Sequence, residues 1–150
     1  MLHFFFREVG ALIIHSPVIM TAGDRFKDEA WDPHAYGNME NLFVDGTWNC
    51  DFADEVRPQA ADIILNGRKN FNAFEGTQLQ EIIESKCTTR LFVMGYFRND
   101  CVEDTTKEAS NLFPDMNIYV LHDGCAEKKT GTHILNLQFI FLISTSSFNL

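Results

Sequence analysis

Apolar and polar positions fall in blocks along this chain, and the period changes from block to block. Residues 11–20, "ALIIHSPVIM", are mostly apolar and predict a buried strand with a proline near its end. "ADIILNGR" predicts a second strand over Asp62–Leu65. In "GTQLQEIIESKC" the period lengthens: Leu79, Ile82 and Ile83 share one helical face, and Thr77 stands as the cap. "TTRLFVMGY" is an almost continuous apolar run, as in a parallel strand covered on both faces. "VEDTTKEASNLF" predicts a further helix and "NIYVLHDG" a fourth strand. Residues 21–50 are polar and rich in Gly, Asp, Asn and Trp, which predicts a long loop.

Strands alternating with helices predict an α/β fold around a parallel sheet. The last 18 residues, "HILNLQFIFLISTSSFNL", break the alternation. There Leu135, Leu137, Phe139, Phe141 and Ile143 recur at every second position, as on one face of a strand, and no helix follows.

The 150 residues fit one domain, and a hydrophobic share of 45% is that of a globular chain. A net charge of -9 without a basic cluster argues against nucleic acid and against an anionic membrane surface. Cys50, Cys87, Cys101 and Cys125 form no CxxC pair and have no histidine at zinc-ligand spacing. Scattered cysteines of this kind point to a reduced, cytoplasmic protein. "MLHFFFREVGALII" is interrupted by Arg7 and Glu8 and does not read as a signal peptide. The apolar run "ILNLQFIFLI" is 10 residues long, too short to span a bilayer.

In a parallel sheet, chemistry gathers beyond the carboxyl ends of the strands. Cys101, in "GYFRNDCVEDTTKEAS", lies there, between the third strand and the next helix. A helix N-terminus offers partial positive charge and free N–H groups, which can lower a thiol's pKa and hold an oxyanion. The plainer alternative is a small buried hydrophobe. "GRKNFNAFEGTQL" follows another strand and brings two cations and two aromatics, Phe71 and Phe74, to the same edge. Its cations suit a thiolate or an anionic substrate, or else form a solvated basic turn.

Taken together, five stretches in order resemble the isochorismatase-like cysteine hydrolase family over roughly residues 8–128: "EVGALIIHSP", "GTWNCDFADEVRPQAADIIL", "GRKNFNAFEGTQLQEII", "LFVMGYFRNDCVEDT" and "VLHDGCA". The spacing of Gly95, Cys101, Val102 and Glu103 is the most specific element. The resemblance implies a three-layer α/β/α, Rossmann-like fold with a mainly parallel sheet. It implies an Asp–Lys–Cys triad with Cys101 as nucleophile. It also implies a cis peptide at Tyr96–Phe97 and an oxyanion hole from the N–H groups of Phe97 and Cys101. The lysine position falls on Arg68 by alignment, with Lys69 beside it as the better proton shuttle. Phe71, Phe74, Trp48 and Asn99 map to the substrate pocket. His122 and Cys125 match a structural strand end.

The family's aspartate ends a first strand, ahead of the first helix. No such motif precedes Glu8, and Asp24 and Asp28 do not match it. The chain therefore reads as a domain over 1–132 that lacks the first strand and the last helix, followed by a divergent tail over 133–150. Loss of a middle strand is expected to leave its neighbours unpaired. His15 and His34 do not reproduce a metal cluster with Asp24, so no metal and no cofactor are expected. The implied activity is hydrolysis of a small amide or related substrate by a homo-oligomer, impaired by the missing aspartate. The alternative is an inactive relative serving as a binding or oligomerisation module, and a thiol redox protein lacks the CxxC it would need.

Overall fold

The computed structural model describes residues 2–21, 43–126 and 140–145. Helix α1 (Leu2–Glu8) leads into strand β1 (Leu12–His15), and β2 is the short Ile63–Ile64. Helix α2 (Leu79–Ser85), strand β3 (Arg90–Tyr96), helix α3 (Glu103–Leu112), strand β4 (Asn117–Ala126) and strand β5 (Ile140–Thr145) follow. Asp24, Asp28, His34, most of the predicted 21–50 loop, and Leu135, Leu137 and Phe139 lie outside the described residues.

One sheet runs in the order β2-β1-β5-β3-β4. β1 pairs parallel with β2, and β3 parallel with β4, while β5 is antiparallel to both β1 and β3. Four strands thus share one direction and β5 opposes them. Alternation along the strands sends side chains to two separate cores. Ile14, Leu91 and Val93 pack with Leu79 and Ile83 of α2 and with Val102 and Ala109. Ile13 and Met94 pack with Phe6 of α1 on the other face, where Phe52, Phe92 and Leu121 join them. The result is three layers: α2 and α3, the sheet, and α1.

The expected gap in the sheet is filled. β5 lies between β1 and β3, with Leu12 opposite Ser144 on one side and Arg90 opposite Thr145 on the other. The physical reason is the hydrogen-bonding demand of two facing edges: an extended segment between them satisfies both ladders at once. Of the tail positions predicted to alternate on a strand, Phe141 and Ile143 lie in β5. A second difference lies after β3. The chain makes a π-helical turn over Arg98–Val102 before α3, with the Val102 N–H donating to the Phe97 carbonyl at 3.1 Å.

Candidate active site

β3 ends at Tyr96, and the Tyr96–Phe97 peptide bond is cis. The π-helical turn then places Cys101 at 8% exposure, in the core shared by Ile14, Leu65, Phe71 and Val102. A thiol at this depth is shielded from water, and burial pushes its pKa up. The Arg68 charge, the Phe97 N–H and a hydrogen bond from Arg68 pull the other way, while the Asp100 charge adds to the rise. The balance is upward. Desolvation thus opposes the cation and the amide that the sequence reading expected to favour a thiolate.

Arg68 owes its position to a loop pinched at its neck. Gly67 (φ +89°) and Gly76 (φ +72°) both take left-handed backbone, and a Cβ on Gly67 would collide with the Gly76 carbonyl. Within the loop, Asn72 Oδ1 accepts the Phe74 N–H at 2.9 Å. Thr77 Oγ donates to the Ala73 carbonyl at 2.6 Å and accepts the Leu79 N–H at 3.2 Å, closing the loop; the N-cap itself is Gln78, one residue after the predicted Thr77. Arg68 is 3% exposed. Its Nη1 donates to the Ser16 carbonyl at 2.5 Å, Nε to Asn70 at 3.0 Å and Nη2 to Phe71 at 2.6 Å. Among the described residues, no carboxylate lies within ion-pairing distance of it. The guanidinium is held by carbonyl dipoles, and its charge is directed to Cys101.

The other sequence-derived positions separate. Lys69 is half-buried and is not among the charges acting on Cys101. Phe71 belongs to the core around the thiol, and Phe74 packs at its margin against Phe113, ring centroids 6.2 Å apart. Trp48 is 66% exposed and Asn99 is exposed, so neither is enclosed with the thiol. His122 is exposed beside Asp123, while Cys125 is partly buried against both cores. Among the described residues, no three His, Cys, Asp or Glu side chains gather as a metal ion would require. No described helix is long and apolar enough to cross a membrane.

A second polar cluster went unread in the sequence. Asp62 takes hydrogen bonds from Arg7 of α1, from His15 Nε2 at 2.8 Å and from the Gln59 N–H at 2.9 Å. It lies on the α1 face: His15 stacks edge-on against Phe52, a member of that core, at 5.4 Å. Cys101 packs on the opposite face. Burial lowers the His15 pKa more than Asp62 raises it, and Arg7 lowers it further. Burial alone would raise the Asp62 pKa, but hydrogen bonds from Arg7, Gln59 and His15 bring it below the ordinary value. One guanidinium already neutralises the carboxylate, so His15 stays neutral and donates its Nε2–H. The partners stand 47 and 55 residues apart, and no local pattern announces them.

Comparison with known proteins bears on the family and the fold. The family model described as the Isochorismatase domain matches residues 2–146. Ureidoacrylate amidohydrolase RutB of Pantoea ananatis is 34% identical over 107 residues, 71% of this chain and 41% of that protein. RutB of Yersinia enterocolitica is 34% identical over 70 residues, 47% of this chain and 30% of that protein. The chain spans less than half the length of these curated relatives. Among solved structures, an isochorismatase family protein from Desulfovibrio vulgaris superposes with a TM-score of 0.73 at 22% identity, covering 87% of this chain and 66% of that one. N-carbamoylsarcosine amidase from Thermoplasma acidophilum gives 0.68 at 22% identity, covering 87% and 68%. These two show the fold. With the domain model matched along nearly the whole sequence, the chain belongs to the isochorismatase family.

Proposed function

We propose that this chain is a cysteine hydrolase of small amides or ureides, with Cys101 as nucleophile. The observation that carries this reading is a buried sulfur in one core with Phe71, whose carbonyl holds the Arg68 guanidinium; the Arg68 charge and the Phe97 N–H both oppose the upward push of burial on the thiol pKa. The names of the relatives, an amidohydrolase and an amidase, support the substrate class.

In this reading a base takes the thiol proton, and the sulfur attacks the carbonyl carbon. The N–H groups of Phe97 and Cys101 receive the negative charge on oxygen. The C–N bond breaks as nitrogen takes up a proton and leaves as ammonia or an amine. Water then opens the thioester and restores the thiol. Arg68 stabilises the anionic states without moving protons, because a guanidinium stays charged. Among the described residues, Asp100 is the carboxylate whose charge acts on Cys101. We place the protein in the cytoplasm as a homo-oligomer; four free cysteines support the first point, and exposed Trp48, Tyr119 and Val120 the second.

A second reading is an inactive member acting as a binding or oligomerisation module. Arg68 favours it, since three of its donors are committed to backbone carbonyls. Ammonia release by the purified chain from carbamoylated amines, ureido acids and nicotinamide separates the two. The hydrolase reading expects turnover that Cys101→Ser reduces at least ~10³-fold. A folded wild type that hydrolyses none of these substrates gives the site to the second reading.

A further inference from the structure

Cys101 and Arg68 approach each other from different elements, the turn before α3 and the loop after β2. Something must set their separation, and the residue that joins the two elements is Thr105. It is fully buried, four residues beyond Cys101 and so on the same side of the helix that follows. Its Oγ accepts the Ala73 N–H at 3.0 Å and donates to the Phe71 carbonyl at 3.5 Å. The Phe71 carbonyl also takes the Arg68 Nη2 donor at 2.6 Å. One oxygen is thus shared by the guanidinium and by the helix that follows the nucleophile's turn.

We propose that Thr105 is a positioning residue, which sets the Arg68 guanidinium against the Cys101 sulfur through the Phe71 carbonyl. The inference rests on the reading of Cys101 and Arg68 as reacting partners. A buried hydroxyl is suited to this task because it donates and accepts at once. Valine would fill the same volume but leave the Ala73 N–H and the Phe71 carbonyl without that partner. The loop neck at Gly67 and Gly76 fixes where the loop begins and ends, and Thr105 fixes its middle against α3. Arg68, immediately after the neck, then has its backbone set by the first and its side-chain tip by the second.

The test reads the thiol itself and needs no substrate. In the full chain with Cys50, Cys87 and Cys125 replaced by serine, alkylation of Cys101 by iodoacetamide is followed against pH. Thr105→Val is expected to slow alkylation several-fold at neutral pH and move the profile to higher pH, with Thr105→Ser returning it to the wild-type position. The proposal is overturned if Thr105→Val lowers the melting temperature but leaves the profile in place. It is equally overturned if Thr105→Ser, which keeps the hydroxyl, shifts the profile as far as valine does. Should the valine variant not fold, Thr105→Ala is compared with Thr105→Ser on the same two criteria. Failure of the hydrolase reading is seen separately, as a folded wild type without Cys101-dependent ammonia release.

Discussion

The Arg68 guanidinium donates to three backbone carbonyls and turns its charge on the Cys101 thiol, with no carboxylate among the described residues to neutralise it. Two neighbours therefore tune the sulfur in opposite directions. Arg68→Met should move the alkylation profile of Cys101 to higher pH, because only burial, the Asp100 charge and the Phe97 N–H remain. Asp100→Asn should move it to lower pH by removing a like charge. Iodoacetamide labelling of single-cysteine variants checks both directions.

The loop neck is the next point of sensitivity. Gly67→Ala adds a Cβ against the Gly76 carbonyl in left-handed backbone, so the loop must shift. We expect a loss of about 2 kcal/mol in urea unfolding. Alkylation of Cys101 should slow in parallel, since Arg68 follows Gly67 directly.

The Asp62 cluster predicts a pH dependence with two limbs. His15 has a pKa below its ordinary 6.5 in the folded state, so the unfolded chain binds the extra proton. Stability should fall as the pH drops from 6.5 towards the folded value. Asp62 lies below its ordinary 3.8, so its contribution is present above that value and is lost as acid protonates it in the fold. Urea midpoints across this range should show both limbs, and His15→Gln should flatten the upper one. Asp62→Ala leaves Arg7 and His15 facing an empty site and should cost about 3 kcal/mol.

The central strand gives a fourth expectation. Leu142 pairs with Ile14 on one side and with Val93 on the other. Leu142→Pro removes the backbone N–H at that position and places a ring in the middle of the sheet, which should cost about 3 kcal/mol or more. Circular dichroism melts would register it as loss of cooperative unfolding.

Local pattern and long-range pairing account for what could be read in the sequence. The β3 run and the face formed by Leu79, Ile82 and Ile83 depend on neighbours a few residues away, and the elements appear where the periodicity puts them. The alternation at Phe141 and Ile143 also announces a strand. Its seat between β1 and β3 follows from the gap those strands leave, which is a property of the whole sheet. The π-helical turn escapes a period-based reading because it occupies a single turn. Arg68 could be named only through the family resemblance, by its place ahead of Phe74. Its coupling to Thr105 needed coordinates, since 37 residues and a crossing of elements separate the two.

β5 also bears on when this sheet can form. In the order β2-β1-β5-β3-β4, β5 is the strand that joins the β1–β2 pair to the β3–β4 pair among the described strands. Without β5, the edges of β1 and β3 that it covers would be open, as sites where another chain could add. Seating of β5 is thus the step that merges the two described strand pairs into one sheet, and any state in which it is unseated is exposed to aggregation.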